Sequence, residues 1–230
     1  MDEFKFIKFN YENINIIFST AEGGLDFNKN SNEGLRNIQK LKEWFHVRNV
    51  GYLSQIHSDK VLNYTGEIEE GDALITDKSN VAIGVFTADC VPILFLDKSK
   101  KVLAAVHSGW RSTLKNIARK TLENMIEKYS CNPEDILVYI GPHNRNCCFE
   151  IGEEVIEQFK HTKEFSEEML CGRNLNLEKY IITCLKEANI LRENIITVDY
   201  CTYCDERVKL HSYRKQNKSY GRMFSFIYKE

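Results

Sequence analysis

Over the first twenty residues, apolar and polar side chains come close to strict alternation. "FKFIKFN" (4–10) and "NINIIFST" (13–20) carry the period of two that marks half-buried strands. The period then lengthens in "GLRNIQKLKEWFHV" (34–47), where Leu35, Ile38, Leu41 and Trp44/Phe45 form one face of a helix. A β-then-α start is predicted.

From residue 50 the polar half of the pattern drops out. "VGYLSQIH" (50–57), "DALIT" (72–76), "VAIGVFT" (81–87), "VPILFLD" (91–97) and "VLAAVHSG" (102–109) follow at short intervals. Several are continuous apolar runs of the kind buried on both faces, which implies a sheet sandwiched by helices. Helical spacing returns with Leu114, Ile117, Ala118, Thr121, Leu122, Met125 and Ile126, with Ser112 or Thr113 as the predicted N-cap. "DILVYIGP" (135–142) reads as a strand, "GEEVIEQFK" (152–160) and "LNLEKYIITCLKEANI" (175–190) as helices, and "IITVDYC" (195–201) and "MFSFIY" (223–228) as late strands. Strands and helices intermix without strict βαβ alternation, so the predicted class is α+β with a mixed sheet.

Composition narrows the reading. The chain of 230 residues has only three prolines, no Gly/Ser-rich linker and no repeat, which predicts one domain. A net charge of -2 provides no basic stripe for a nucleic-acid backbone, so a small ligand is the expected partner. No apolar run approaches the roughly 20 residues of a membrane span, and "MDEFKFIKFN" is acidic where a signal peptide is basic. A cytoplasmic protein without nucleic-acid or membrane partners is expected. The eight cysteines are irregularly spread, and a chain of this size needs no disulfide framework. Most are expected to be buried thiols.

Three potential metal ligands stand where strands are predicted to end: His57 in "SQIHSDKV", Cys90 in "TADCVPILF" and His107 in "AVHSGWRST". Two imidazoles and a thiolate are three ligands of a tetrahedral zinc with its fourth position open, the catalytic arrangement. Taken singly, each reads first as a hydrogen-bonded core histidine or an inert core cysteine, and it is the set with its neighbours that points to a metal. Asp89 beside Cys90 offers a carboxylate to orient a ligand or move a proton, and Pro92 interrupts the ladder nearby. Asp72 in "GDALIT" reads first as a turn cap and second as a group that orients a ligand. In "HSGWRST", a helix start next to Arg111 suits an anion such as phosphate; the alternative is a surface Arg stacked on Trp110. "IGPHNRNCCFEIG" (140–152), with paired cysteines and Glu150, lines a cleft or caps a helix. "LHSYRKQNKSYGR" (210–222) adds His211, Tyr213, Arg214 and Arg222, a cleft-like mixture or a basic surface strand. Cys201 and Cys204 form a lone C-x-x-C, read as structural.

In this order, "GG" (23–24), "QIH" (55–57), "DALIT", "TADCVP", "HSGWR", "IGP…CCFEIG", "CT" (201–202), "SYR" (212–214) and "GR" (221–222) make the chain resemble the laccase-domain family, also called multicopper polyphenol oxidase or YfiH-like. The resemblance runs nearly end to end. It implies a single-domain layered α/β sandwich over residues 1–230, with zinc, or copper in its place, on His57, Cys90 and His107. It also implies a purine nucleoside phosphorylase that splits adenosine, inosine and S-methyl-5'-thioadenosine with phosphate and deaminates adenosine, acting as a monomer or weak homodimer. On that reading His57, Cys90, His107 and Asp89 carry catalysis, while Arg111 and Arg214 hold phosphate. The chain departs from the family pattern at Ala21, where an Arg is usual, at Phe149, where a Tyr is common, at Ser58 and Ser112, often Gly, and at His211, where an aromatic is more usual. Six histidines without an H-x-H pair speak against coupled copper centres. The rival readings are a copper-dependent polyphenol oxidase, a cysteine hydrolase using Cys90 with His107, and a non-catalytic zinc-stabilised module acting on cell-wall or division partners.

Overall fold

A computed structural model describes residues 5–215 and 220–230. Phe4, at the head of the first predicted strand, and residues 216–219 of the "LHSYRKQNKSYGR" stretch lie outside the described residues. The strands assort into two principal sheets. The first has the order β1 (Phe6–Tyr11), β2 (Ile14–Ser19), β13 (Met223–Lys229), β6 (Val81–Thr87), β3 (Asn49–Gly51). The second has the order β12 (Ile195–Thr197), β9 (Ile136–Ile140), β7 (Val91–Asp97), β8 (Leu103–Ser108), β5 (Ala73–Thr76), β4 (Val61–Asn63). A short hairpin of β10 (Leu170–Cys171) and β11 (Asn174–Leu175) stands apart. Both sheets are mixed: β3 runs parallel to β6, β4 to β5 and β12 to β9, and the remaining pairs are antiparallel. Among the described residues five α-helices complete the fold: α1 (Asn32–Trp44), α2 (Trp110–Leu114), α3 (Ile117–Tyr129), α4 (Glu153–Lys160) and α5 (Leu177–Glu187).

Because successive strand residues point to opposite faces, an apolar run in a central strand feeds two cores. Leu94 and Leu96 of β7 and Leu103 and Ala105 of β8 face Ile14, Ile16 and Phe18 of β2 and Ile83 and Val85 of β6, filling the space between the sheets. Their neighbours Ile93, Phe95, Ala104 and Val106 pack instead with Ile117, Leu122 and Met125 of α3 and Tyr180 and Ile181 of α5. On the outer face of the first sheet, Phe86, Phe224 and Phe226 bury Ile38 and Leu41 of α1. Close stacking there requires Gly84, since a Cβ at that position would stand 2.4 Å from the Phe224 ring.

The result is a single-domain α+β fold in four layers, helix–sheet–sheet–helix. This corrects one expectation. The apolar strands are covered by helices on one face only and by a second sheet on the other, a distinction that strand hydrophobicity does not encode. The helix predicted from Ser112 is also divided. Gly109 is the N-cap of α2, and Asn116, at φ 57°, turns the chain left-handed before α3 begins. Ser112 and Thr113 therefore lie inside α2, where the Thr113 hydroxyl donates to the Gly109 carbonyl at 2.8 Å. The strand predicted over 50–57 ends at Gly51 and that over 195–201 at Thr197. Among the described residues, no helix is long and apolar enough to cross a membrane.

Candidate metal centre and active site

Three chain segments deliver the predicted ligands to one point. His107 lies within β8, paired across the ladder with Pro92, and Cys90 immediately precedes β7. His57 departs from the predicted strand tip. It sits in an irregular loop with φ 57°, a left-handed conformation uncommon for a residue with a side chain. The side chains nevertheless converge, with their ligand atoms all within 4.8 Å of one another. Cys90 Sγ is 3.8 Å from His57 Nε2, and the two imidazole rings meet edge to face at 4.8 Å.

Asp72 explains how a loop histidine is aimed. Its buried carboxylate accepts the backbone N–H groups of Ile56, His57 and Ser58 and the Ser58 hydroxyl, capping the turn that carries His57. The same carboxylate accepts from His107 Nδ1 at 2.8 Å. Cap and orienting group, separate possibilities in the sequence, are thus one residue. With Nδ1 committed to Asp72, His107 presents Nε2 to the centre, the arrangement by which carboxylates fix metal-binding histidines. Burial would raise the Asp72 carboxyl, but the bonds from His107 and Ser58 hold it down at about 2. Desolvation would likewise raise the Cys90 thiol, and His107 and His57 overcome it to bring the thiol to about 6. Desolvation pushes His107 down, whereas Cys90 and Asp72 lift it to about 9.

These residues fit a zinc ion. Donors of one Zn²⁺ tetrahedron stand about 3.3–3.8 Å apart, close to the Cys90–His57 separation; the sulfur is biased toward thiolate and His107 is fixed through its second nitrogen. Gly109 is part of the fit, because a Cβ there would stand 2.8 Å from His57 Cδ2 and 3.2 Å from Cys90 Sγ. Gly109→Ala is expected to push His57 off position and lower metal affinity about 10-fold, as loss of a group that orients a metal ligand does, read by competition with a chromophoric chelator. Unchanged affinity would contradict that.

The three residues open onto a cavity of about 570 Å³, within the roughly 300–1,000 Å³ of small-molecule sites. Phe86, Trp110, Phe149, Tyr213 and Tyr220 supply flat apolar walls, and Lys29, Arg111, Arg214 and Arg222 supply positive charge. Arg111 stacks on Trp110 at 4.3 Å, so the two readings of its motif are both realised: it lies on the aromatic ring and lines the cavity. Arg214 lies over Phe149 at 4.6 Å and Arg222 over Tyr220 at 4.2 Å. Among the described residues, none of these three guanidinium groups is paired with a carboxylate.

Asp89 lines the cavity but is occupied. Its Oδ1 accepts the Thr202 hydroxyl at 2.7 Å, its Oδ2 accepts the Arg214 N–H at 2.8 Å, and its carbonyl accepts the Asn144 N–H at 2.9 Å. With φ at 97° the residue holds a conformation that L side chains rarely adopt, maintained by these three bonds. Glu150 and His211 do not line the cavity; His211 Nε2 bonds the Leu25 carbonyl at 2.9 Å. Ala21 is buried away from it, and its N–H donates to the Lys209 carbonyl at 2.8 Å. Sequence reasoning missed Lys29, which carries no periodic signal, and the role of Gln55. The Gln55 amide spans the Phe86 backbone, donating to its carbonyl and accepting from its N–H, both at 2.8 Å, and so fixes the strand end before Asp89.

The family model described as multi-copper polyphenol oxidoreductase laccase matches residues 12–230. A purine nucleoside phosphorylase of Clostridium acetobutylicum is 49% identical over 100% of this chain and 98% of its own. Purine nucleoside phosphorylase YfiH of Escherichia coli is 34% identical over 77% of this chain and 72% of its own. Among solved structures, the hypothetical protein YfiH of Bacillus licheniformis superposes with a TM-score of 0.90 at 23% identity, covering 100% of this chain and 98% of that one.

Proposed function

This chain belongs to the multi-copper polyphenol oxidoreductase laccase family, and we propose that it is a zinc-dependent purine nucleoside phosphorylase, a single domain over residues 1–230. Its proposed substrates are adenosine, inosine and S-methyl-5'-thioadenosine, cleaved with phosphate to the free base and ribose 1-phosphate or its methylthio analogue. Deamination of adenosine is a proposed side activity, and a cytoplasmic monomer or weak homodimer the proposed state. The names of the relatives support the general activity. The observation that carries the reading is the cavity itself, where guanidinium groups without a carboxylate partner among the described residues and aromatic walls meet beside three side chains that could hold a metal.

In phosphorolysis a phosphate oxygen forms a bond to C1′ as the glycosidic C–N bond breaks. The bonding pair leaves with the purine, which takes a proton from water. Arg111 and Arg214 would bind the phosphate dianion and hold it in line with C1′, converting a bimolecular encounter into an oriented one. The aromatic walls would stack the purine and exclude water from the attacking face. Asp89 would act mainly by fixing the Arg214 backbone, since both of its oxygens already accept hydrogen bonds. His57, Cys90 and His107 would hold zinc, with copper as the competing ion, and the bound ion would supply Lewis acidity toward a substrate oxygen or water. A coupled multicopper centre is disfavoured by the donors available: this site offers two imidazoles, and His143 is engaged elsewhere with the Gly141 carbonyl and Glu178.

Arg111→Ala and Arg214→Ala are each expected to raise KM for phosphate about 10-fold, the loss of one charge-assisted hydrogen bond, with little change in adenosine deamination. Phosphate saturation curves with inosine test this. Unaltered KM in both variants would overturn the assignment of these residues. One observation favours a second reading, because Cys90 combines a thiol lowered to about 6 with two adjacent imidazoles, which suits a cysteine hydrolase. Stoichiometric alkylation of Cys90 that zinc fails to block would favour it.

A further inference from the structure

The C-x-x-C of residues 201–204 does not stand alone in space. The Sγ atoms of Cys147, Cys148, Cys201 and Cys204 all lie within 4.8 Å of one another, with Cys147 and Cys204 at 3.5 Å. We propose that these four cysteines form a second, structural metal site that takes zinc in an all-thiolate tetrahedral shell. None of the four lines the cavity, so the site is separate from His57, Cys90 and His107.

Three observations carry this. A tetrahedral Zn–S₄ centre has S···S edges of about 3.8 Å, and the four sulfurs, none more than 4.8 Å from another, are gathered closely enough to close on one ion. All four thiols are free, and a disulfide between the adjacent Cys147 and Cys148 is disfavoured because their Cα atoms are only about 3.8 Å apart, closer than disulfide geometry accepts. Second, both cysteine pairs sit on closed turns: the Asp205 N–H donates to the Cys201 carbonyl at 3.1 Å across the C-x-x-C, and the Cys148 and Phe149 N–H groups donate to the Arg145 carbonyl at 2.9 and 2.8 Å, so the four thiols are presented from fixed backbone. Third, Cys201 is buried while Cys147 and Cys204 are exposed, which leaves a path for the ion to enter.

The location gives the site a purpose. Cys147 and Cys148 follow β9 and Cys201 and Cys204 follow β12, in two irregular loops joined by the His143–Cys201 bridge and the Thr202 N–H to the His143 carbonyl at 3.0 Å. Those loops also supply Asn144 and Thr202, which hold Asp89. A metal across the cluster would cross-link the segments that set the floor of the cavity beside Cys90, without touching substrate.

The test uses full-length protein purified under reducing conditions, with zinc measured by elemental analysis and Co²⁺ as a spectroscopic probe. About two equivalents of zinc per chain are expected in the wild type, about one in Cys90→Ser and almost none in Cys90→Ser/Cys204→Ser. Co²⁺ in Cys90→Ser should give intense sulfur-to-cobalt charge transfer and tetrahedral d–d bands, and chelation should lower the Tm of that variant. Should the double variant fail to fold, Cys90→Ser alone decides. A Cys90→Ser protein that folds yet binds neither zinc nor Co²⁺ would overturn the proposal, as would a disulfide among these cysteines found by mass spectrometry. A wild type with one equivalent that Cys90→Ser retains and Cys204→Ser loses would uphold this site while removing zinc from the catalytic reading.

Discussion

Cys90→Ser is expected to remove one equivalent of metal per chain and to reduce nucleoside turnover by more than the roughly 100-fold that loss of an outer-shell partner causes. Cys90 brings the only sulfur to its three-residue group. A serine hydroxyl of similar shape stays protonated at neutral pH and is a poor ligand for zinc. The fold should survive, because the substitution adds no volume where Gly109 packs against the sulfur. Elemental analysis paired with base release from inosine reads both effects. Full turnover in a variant lacking that equivalent would remove the metal from the mechanism.

The second large effect is expected at Asp72. In Asp72→Asn an NH₂ must take the place of one carboxylate oxygen. At Oδ2 it would face the N–H groups of Ile56 and Ser58 and the Ser58 hydroxyl; at Oδ1 it would face the His57 N–H and His107 Nδ1. Either way, buried donors lose their acceptor. Breaking a buried charged network from one side costs about 3–5 kcal/mol, a large share of the ~5–15 kcal/mol that stabilises a typical domain. The His57 turn and the His107 tautomer loosen together, so metal affinity should fall ~10–100-fold. Urea unfolding and a zinc competition assay measure the two losses. Ser58→Ala, which removes a single hydroxyl from the network, should give a graded version of both. A loss of stability with metal affinity unchanged would show that Asp72 caps the turn without orienting the centre, and a change in neither would contradict both roles.

The sequence disclosed parts of this molecule in proportion to how local the underlying physics is. Strand β2 was legible from its alternation and β6, β7, β8, β9 and β13 from short apolar runs, both properties of the strand itself, as was α1 from its apolar stripe. What covers each face was not, since Leu94 toward a sheet and Ile93 toward a helix are equally apolar. The break at Asn116 was hidden because Leu114 and Ile117 keep the helical spacing across it. His57, Cys90 and His107 could be named as a set, but the reason they converge lies in Asp72, whose bonds reach 15 residues back to His57 and 35 forward to His107. The four-cysteine cluster was less visible still, with Cys147 and Cys204 separated by 57 residues. A short motif in sequence is half of such a site, and only the pairing of two loops supplies the other half.

Adenosine incubated with the purified protein, with and without inorganic phosphate, separates the readings by product. The predicted result is adenine and ribose 1-phosphate appearing together only when phosphate is present, with inosine as a minor product in either case. Absence of ribose 1-phosphate at saturating phosphate, with adenosine left intact or converted to inosine alone, would contradict a purine nucleoside phosphorylase.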